Sequence, residues 1–199
     1  MVKACGFDSY PPTLPSFDAE IDYDNILDDY STSQSRMLTV DSSLDEMGYF
    51  NPKNERHIGN FLHDALAGTH RLEDFPEALR RAAHARNVPA AFWQQYEKPI
   101  ADAIADPAIK PWFTDFTRVF RERSLTDGMS DVIRRPDRVV WMPDGSVVVI
   151  DYKFGKEEAK YKVQVKYYMS LLASYGIANL RGYLFFPLNP PDSRLIPVL

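Results

Sequence analysis

The sequence of 199 residues contains a single cysteine, Cys5. One cysteine excludes a disulfide framework within the chain and a four-cysteine iron–sulfur cluster. The sequence also lacks the long apolar run that a transmembrane helix needs. Its first residues lack the basic segment followed by an apolar one that is typical of a secretory leader. We therefore expect a cytoplasmic protein that has no membrane partner.

Several motifs of nucleotide and zinc chemistry are missing as well. The sequence has no phosphate loop of the G-x-x-x-x-G-K-[ST] type, so we expect no ATP site in this chain, which cannot itself be an ATP-driven motor. It has no G-x-S-x-G nucleophile elbow. It also has no cysteine and histidine spacing typical of zinc sites.

The most informative stretch is RRPDRVVWMPDGSVVVIDYKFG, from Arg134 to Gly155. Apolar runs at 139–141 and 147–150 lie on either side of the turn sequence MPDG at 142–145. Strand-forming runs on both sides of a turn with glycine predict a β-hairpin. The second run has four consecutive β-branched residues, which is typical of a strand buried on both faces.

Charged side chains lie at one end of this pair of strands. Asp151 and Lys153 point to the same side because successive side chains of a strand alternate, and Tyr152 lies between them. If the hairpin closes at its glycine, Asp137 on the first strand lies close to Asp151. Two adjacent carboxylates repel each other unless a cation lies between them. The pattern therefore predicts a divalent metal at the end of this sheet.

Other segments alternate between helical and strand patterns. Helical periodicity dominates residues 55–104, and 117–125 predict a strand before the hairpin. After the hairpin, 157–175 predict a helix and 180–186 a further strand. We therefore predict an α/β fold with a mixed sheet of about four or five strands flanked by helices.

Composition suggests where the folded domain begins. Residues 1–50 are rich in proline, serine and aspartate with little periodicity, and we interpret them as an irregular acidic lead-in or tether. Residues 51–199 are predicted to form one domain, which is long enough to bury a core. Its helical part spans 55–114, and the sheet with its main helix spans 116–186.

The hairpin motifs resemble those of the PD-(D/E)XK nuclease superfamily. Asp137 with Arg138 is similar to the D-R of that family's first metal strand. The sequence Asp151-Tyr152-Lys153 is similar to its D-Y-K. This resemblance implies a fold with a restriction-endonuclease-like core.

Two further motifs narrow the resemblance to the RecB-like branch. His63, in the run GNFLHDAL at 59–66, is similar to the G-x-x-x-H helix of that branch. Gln164 and Tyr168 match its Q-x-x-x-Y motif. The hairpin and the following QVKYYMSLLASYG look most like the C-terminal nuclease domain of AddA-type UvrD/Rep helicase-nucleases, which are ATP-dependent exonucleases.

The sequence departs from the family pattern at three positions near the hairpin. Arg134 replaces the usual glycine three residues before the first aspartate, Pro136 precedes that aspartate, and Phe154 replaces the common threonine after the lysine. No metal-binding side chain is lost by these changes. We interpret them as variation within the branch.

The resemblance implies hydrolysis of DNA by a nuclease that uses Mg²⁺ or Mn²⁺. Lys153 would orient a water molecule or stabilise charge on the phosphate. The implied metal ligands are His63, Asp137, Asp151 and the backbone carbonyl of Tyr152. The implied catalytic residues are Asp137, Asp151, Lys153, Gln164 and Tyr168.

Some assignments remain open at this point. Glu122 is either a metal-site acid or a solvated strand acid, and Arg138 and Lys156 are candidate DNA contacts. Three other histidines have no motif around them and are interpreted as surface residues: His57, His70 and His84.

Two alternative functions compete with the exonuclease. A nuclease-like module that has lost catalysis and only binds DNA or a partner should have lost Asp137, Asp151 or Lys153, and all three are present. A restriction-like endonuclease acting alone is disfavoured by the Q-x-x-x-Y motif, which belongs to nucleases that process DNA ends. The implied partner is a helicase motor, either upstream in the same polypeptide or on another subunit, in the repair of double-strand breaks by recombination.

The charge distribution predicts weak DNA binding. The formal net charge is −5. Residues 1–50 hold ten acids against two basic residues, whereas 121–166 hold ten lysines and arginines against eight acids. Only the half with the motifs is weakly basic, so few phosphate contacts are expected.

Overall fold

A computed structural model describes residues 50–126 and 133–199 of the chain. Apart from Phe50, the predicted lead-in at 1–50 lies outside the described residues. Phe50 packs edge-on against the rings of Phe61 and Phe92, so the folded part includes at least this residue. None of the helices in the described part of the chain is long and apolar enough to span a membrane.

The first half of the domain is helical. Helix α1 spans Glu55–Gly68, α2 spans Phe75–Ala85, α3 spans Ala90–Ile104 and α4 spans Pro111–Thr114. Asn54 caps α1 by accepting a hydrogen bond from the backbone N–H of Arg56. The buried face of α1 is formed by Phe61, Leu62, Ala65 and Leu66, which are spaced as the sequence predicts.

A five-stranded mixed sheet forms the second half. Its strands are β1 (Arg118–Arg121), β2 (Arg138–Trp141), β3 (Val147–Tyr152), β4 (Leu180–Phe185) and β5 (Leu195–Val198). They lie in the order β1-β2-β3-β4-β5, and only β3 and β4 are parallel. The predicted α/β fold and the number of strands are confirmed.

Helix α5 (Ala159–Ser174) connects β3 to β4 and covers the face of the sheet opposite α1 to α4. Its close approach to β4 depends on Gly182. A Cβ atom at this position would lie 2.7 Å from Val165 and 2.8 Å from the sulfur of Met169, both on α5. Glycine therefore lets the helix pack against the strand at a distance that no side chain would allow.

Arg138 joins the helical half to the sheet. It is fully buried, and its guanidinium donates hydrogen bonds to the backbone carbonyls of Thr69, His70 and Trp112. The same group lies 4.1 Å above the centroid of the Phe113 ring. A guanidinium enclosed in this way cannot reach a phosphate, so the prediction that Arg138 contacts DNA is wrong.

Two predicted boundaries differ from the structure. The strand predicted at 117–125 ends at Arg121, because Glu122 adopts a left-handed backbone conformation with φ of 49°. Strand β5 lies beyond residue 186, where the sequence pattern placed the end of the sheet. Pro187 and Pro190 lie in the turn after β4, and Pro191 begins the short helix α6 (Pro191–Arg194), which precedes β5.

Candidate metal and nuclease site

The hairpin brings two aspartates together. Arg138 lies opposite Ile150 in the antiparallel register of β2 and β3, so the preceding Asp137 lies beside Asp151. The Oδ2 atom of Asp137 accepts a hydrogen bond of 2.6 Å from the backbone N–H of Tyr152. Both carboxylates are buried at this end of the sheet. This pairing agrees with the geometry predicted from the turn.

His63 reaches the same point from helix α1. Its Nε2 atom lies 2.9 Å from Oδ1 of Asp137, and its Nδ1 atom lies 3.6 Å from Oε1 of Glu122. The charge of Asp137 raises the pKa of His63 to about 9. Burial alone would raise the pKa of Asp137, but His63 and the N–H of Tyr152 outweigh it and hold that pKa below its ordinary value.

Glu122 enters the site because the backbone turns at this residue. Strict alternation along β1 would place it on the same face as Phe120. The left-handed conformation, uncommon for a residue with a side chain, directs it toward His63 instead. Burial, followed by the charge of Asp137, raises the pKa of Glu122 to about 7.

Three of these side chains form a compact group of donors. One atom each from His63, Glu122 and Asp137 lies within 4.8 Å of the others. Among residues 50–126 and 133–199, no other group of this kind is found. The predicted ligand Asp151 is adjacent to this group but is not a member of it. A ligand role for the carbonyl of Tyr152 stays a prediction.

Asp151 is a buried acid that forms an ion pair with Lys153. Both oxygens are inaccessible to solvent, and Oδ1 accepts no hydrogen bond. The Nζ atom of Lys153 lies 2.6 Å from Oδ2 in an ion pair. Burial raises the pKa of Asp151 to about 6, although Lys153 opposes this shift. Buried acceptors of this kind are costly unless a cation completes their coordination.

Side chains of helix α5 contact Lys153. Its Nζ atom donates a long hydrogen bond of 3.4 Å to Oε1 of Gln164, and the Gln164 amide donates one of 2.6 Å to the Tyr168 hydroxyl. The same Nζ lies 4.4 Å above the centroid of the Tyr161 ring. Tyr161 was not identified from the sequence, where its position one turn before Gln164 is the only signal.

These residues fit a divalent metal. The donors are carboxylate oxygens and one imidazole, a set that suits Mg²⁺ or Mn²⁺. The negative field that raises the pKa of His63 also favours a cation, and the ion would compete with the proton because a ligating imidazole must be neutral. The buried carboxyl group of Asp151, whose Oδ1 atom has no hydrogen-bond partner, lies next to this position.

The site opens into a cleft of about 1210 Å³. His63, Glu122, Asp137 and Lys153 lie in its wall. Lys156 is exposed at the same cleft, in agreement with a DNA contact, which stays a prediction for this residue. Further basic residues of the wall are Arg56, Arg134 and Arg135.

A mixed sheet with paired carboxylates and a lysine at one end of its central strands defines an α/β domain of the nuclease type. The chain belongs to the PD-(D/E)XK nuclease superfamily, since the model of that family matches residues 38–192. Membership implies a nuclease that depends on a divalent metal.

Comparisons with individual proteins add less. A search of curated proteins finds no match. A solved structure described as "Crystal structure of SSO0001" is similar with 15% sequence identity and a TM-score of 0.30. The similarity covers 68% of this chain and 64% of that chain, so the present chain spans just under two thirds of its length.

The four histidines are expected to respond differently to replacement. His63→Ala should lower metal affinity and activity at least about 10- to 100-fold, because changes even beyond the direct ligands have effects of this size. Metal affinity is measured by calorimetry and activity by single-turnover cleavage.

The matched controls lie away from the carboxylates. His57 accepts a hydrogen bond from the backbone of Asn51, the His70 ring packs against Phe116, and His84 is exposed on α2. Alanine at any of these positions should leave both quantities nearly unchanged. Equal losses in all four variants would show that His63 has no special role.

Proposed function

We propose that the protein hydrolyses phosphodiester bonds of DNA as the exonuclease domain of a helicase-nuclease. The observation that carries this proposal is the buried Asp151, whose Oδ1 atom has no hydrogen-bond partner and whose Oδ2 atom pairs with Lys153, next to the donors of His63 and Asp137. A purely structural site would have no reason to keep so much buried negative charge. Family membership supports the nuclease chemistry.

The residues take distinct parts in the proposed reaction. Asp137, Asp151 and His63 would hold a divalent ion, with Glu122 as a further donor and the Tyr152 carbonyl as the remaining ligand. When bound, such an ion would polarise a phosphoryl oxygen and lower the pKa of a water molecule. Lys153 donates a hydrogen bond either to the attacking water or to a phosphate oxygen as charge develops.

Gln164 and Tyr168 support the lysine in this proposal. Their hydrogen bonds form a chain that ends at Nζ of Lys153, so they limit the positions that the ammonium can take. A fixed donor stabilises a transition state better than a mobile one because less reorganisation is needed.

The proposed role as an exonuclease within a helicase-nuclease rests on the Q-x-x-x-Y motif. Both of its side chains lie in the cleft wall beside the lysine, which supports a relationship to the nuclease domains of AddA-type helicase-nucleases. We infer that the protein acts on DNA ends during double-strand-break processing and recombinational repair. The motor would lie upstream in the same polypeptide or on a partner subunit.

The test compares linear DNA with covalently closed circular DNA of the same sequence. With Mg²⁺ or Mn²⁺ the protein should degrade the linear form and leave the circle intact, and EDTA should abolish the reaction. Equal rates on both forms would contradict the exonuclease assignment. Binding of DNA without cleavage in any divalent metal would instead identify an inactive binding module.

A further inference from the structure

A second basic surface lies on the edge strand β1 and its neighbour β2, on the face of the sheet that packs against α5. We call it the β1 arginine patch and define it as Arg118, Phe120, Arg123 and Trp141. The Phe120 and Trp141 rings meet edge to face with centroids 4.9 Å apart. The Arg118 guanidinium lies 4.4 Å from the centroid of Phe120 and 5.5 Å from that of Trp141, and Arg123 lies 4.4 Å from Phe120.

Both arginines of the patch are available to a ligand. They are exposed, whereas the aromatic rings beneath them are half-buried. In the part of the chain that the structure describes, neither guanidinium has a carboxylate within ion-pair distance. When a guanidinium stacks on an aromatic ring, its N–H groups point outward in the plane of the guanidinium. These groups can bind a phosphate with two hydrogen bonds.

The patch is continuous with the cleft. Ser124 follows Arg123, and its hydroxyl accepts a hydrogen bond of 3.2 Å from Nε of Arg135. Arg135 and its neighbour Arg134 line the cleft that contains the carboxylates. Arg135 in the cleft wall is therefore joined to the patch through Ser124, the residue next to Arg123.

We infer that the β1 arginine patch binds the phosphate backbone of the DNA that extends beyond the cleft. This inference rests on the proposed function. DNA is preferred over an acidic protein because the patch adjoins the cleft through Ser124 and Arg135, so that one phosphate backbone bound in the cleft can extend onto the patch. Strand β1 extends roughly 10 Å from Arg118 to Arg121, at about 3.3 Å per residue. That length corresponds to roughly three nucleotides of a duplex strand.

The variant R118Q/R123Q removes both charges and keeps most of each side chain. Binding is measured for the full chain in Ca²⁺ with two duplexes, one that just fills the cleft and one longer by roughly ten base pairs. We expect affinity for the longer duplex to fall by about 5- to 30-fold, and the negative slope of log affinity against log salt to become shallower by about 2. Affinity for the short duplex and the single-turnover rate at saturating DNA should remain unchanged.

Two further variants make the result specific. R80Q/R81Q removes two exposed arginines from α2, on the opposite side of the sheet, and should leave affinity and salt slope as in the original chain. R118K/R123K keeps the charges and should retain the salt slope while losing part of the affinity, because lysine cannot form the bidentate contact.

Equal losses in R118Q/R123Q and R80Q/R81Q, or equal losses on both duplexes, would overturn the inference. An unchanged salt slope in R118Q/R123Q would also overturn it. The proposed function is tested separately. If the original chain cuts DNA but R118Q/R123Q binds the longer duplex normally, only the role of the patch in DNA binding is excluded. If the original chain cuts nothing in any metal while the patch still controls binding, only the nuclease activity is excluded.

Discussion

Replacement of Lys153 by alanine is expected to lower the single-turnover cleavage rate by about two or more orders of magnitude, with little change in DNA affinity. Loss of one preorganised donor to a developing charge costs about 3 kcal/mol of transition-state stabilisation. The ammonium is fixed by Asp151, Gln164 and the Tyr161 ring, so its contribution is confined to one position in the cleft. Groups that act only in the transition state affect the rate and leave ground-state binding unchanged.

The measurement is single-turnover cleavage in Mg²⁺ together with DNA binding in Ca²⁺. Lys156→Ala is the matched control, because this lysine is exposed in the same cleft and should affect binding more than rate. Asp151→Ala should lose metal affinity as well as rate. If Lys153→Ala cuts as fast as the original chain, the lysine has a structural role only.

Replacement of Arg138 by methionine is expected to lower the free energy of unfolding by about 3 to 5 kcal/mol, since a buried hydrogen-bonded charge is removed and its acceptors stay buried. The carbonyls of Thr69, His70 and Trp112 would all lose their donor. Methionine fills a similar volume, so the effect reports the hydrogen bonds more than a cavity.

Denaturant unfolding measures this change. Arg81→Met is the control: Arg81 is exposed on α2, and its replacement should alter stability by no more than about 0.5 kcal/mol. A loss below about 1 kcal/mol for Arg138→Met would show that water replaces the guanidinium at the three carbonyls.

Local sequence signals were sufficient to predict which residues form the centre of the site. A tight turn fixes the register of two adjacent strands, and alternation then fixes which side chains share a face. The amino-acid sequence alone therefore placed Asp137, Asp151 and Lys153 together. His63 required the resemblance to a family, because its contact with Asp137 joins segments that are far apart in the sequence.

The predictions that were wrong or missing also have identifiable structural causes. Alternation did not place Glu122 beside His63, because a single left-handed residue changes the direction of the chain. Arg138 was assigned to DNA from its charge and motif, whereas the carbonyls that receive its hydrogen bonds belong to distant segments of the helical half. Strand β5 was missed because the prolines before it are typical of the end of a sheet.

The buried hydrogen bonds of Arg138 also determine how much the length of the segment between Thr69 and Arg138 can vary. The hydrogen bond from Arg138 to Thr69 joins residues 69 positions apart in the sequence and closes a loop that contains α2, α3, α4 and β1. The entropic cost of closing a flexible loop rises slowly, by about 0.6 kcal/mol for each doubling of its length. Because the hydrogen bonds of Arg138 fix both ends of this loop, residues inserted in the turns between α2, α3 and α4 would leave His63 and Asp137 in contact. These turns can thus lengthen at little thermodynamic cost while the metal donors stay in place.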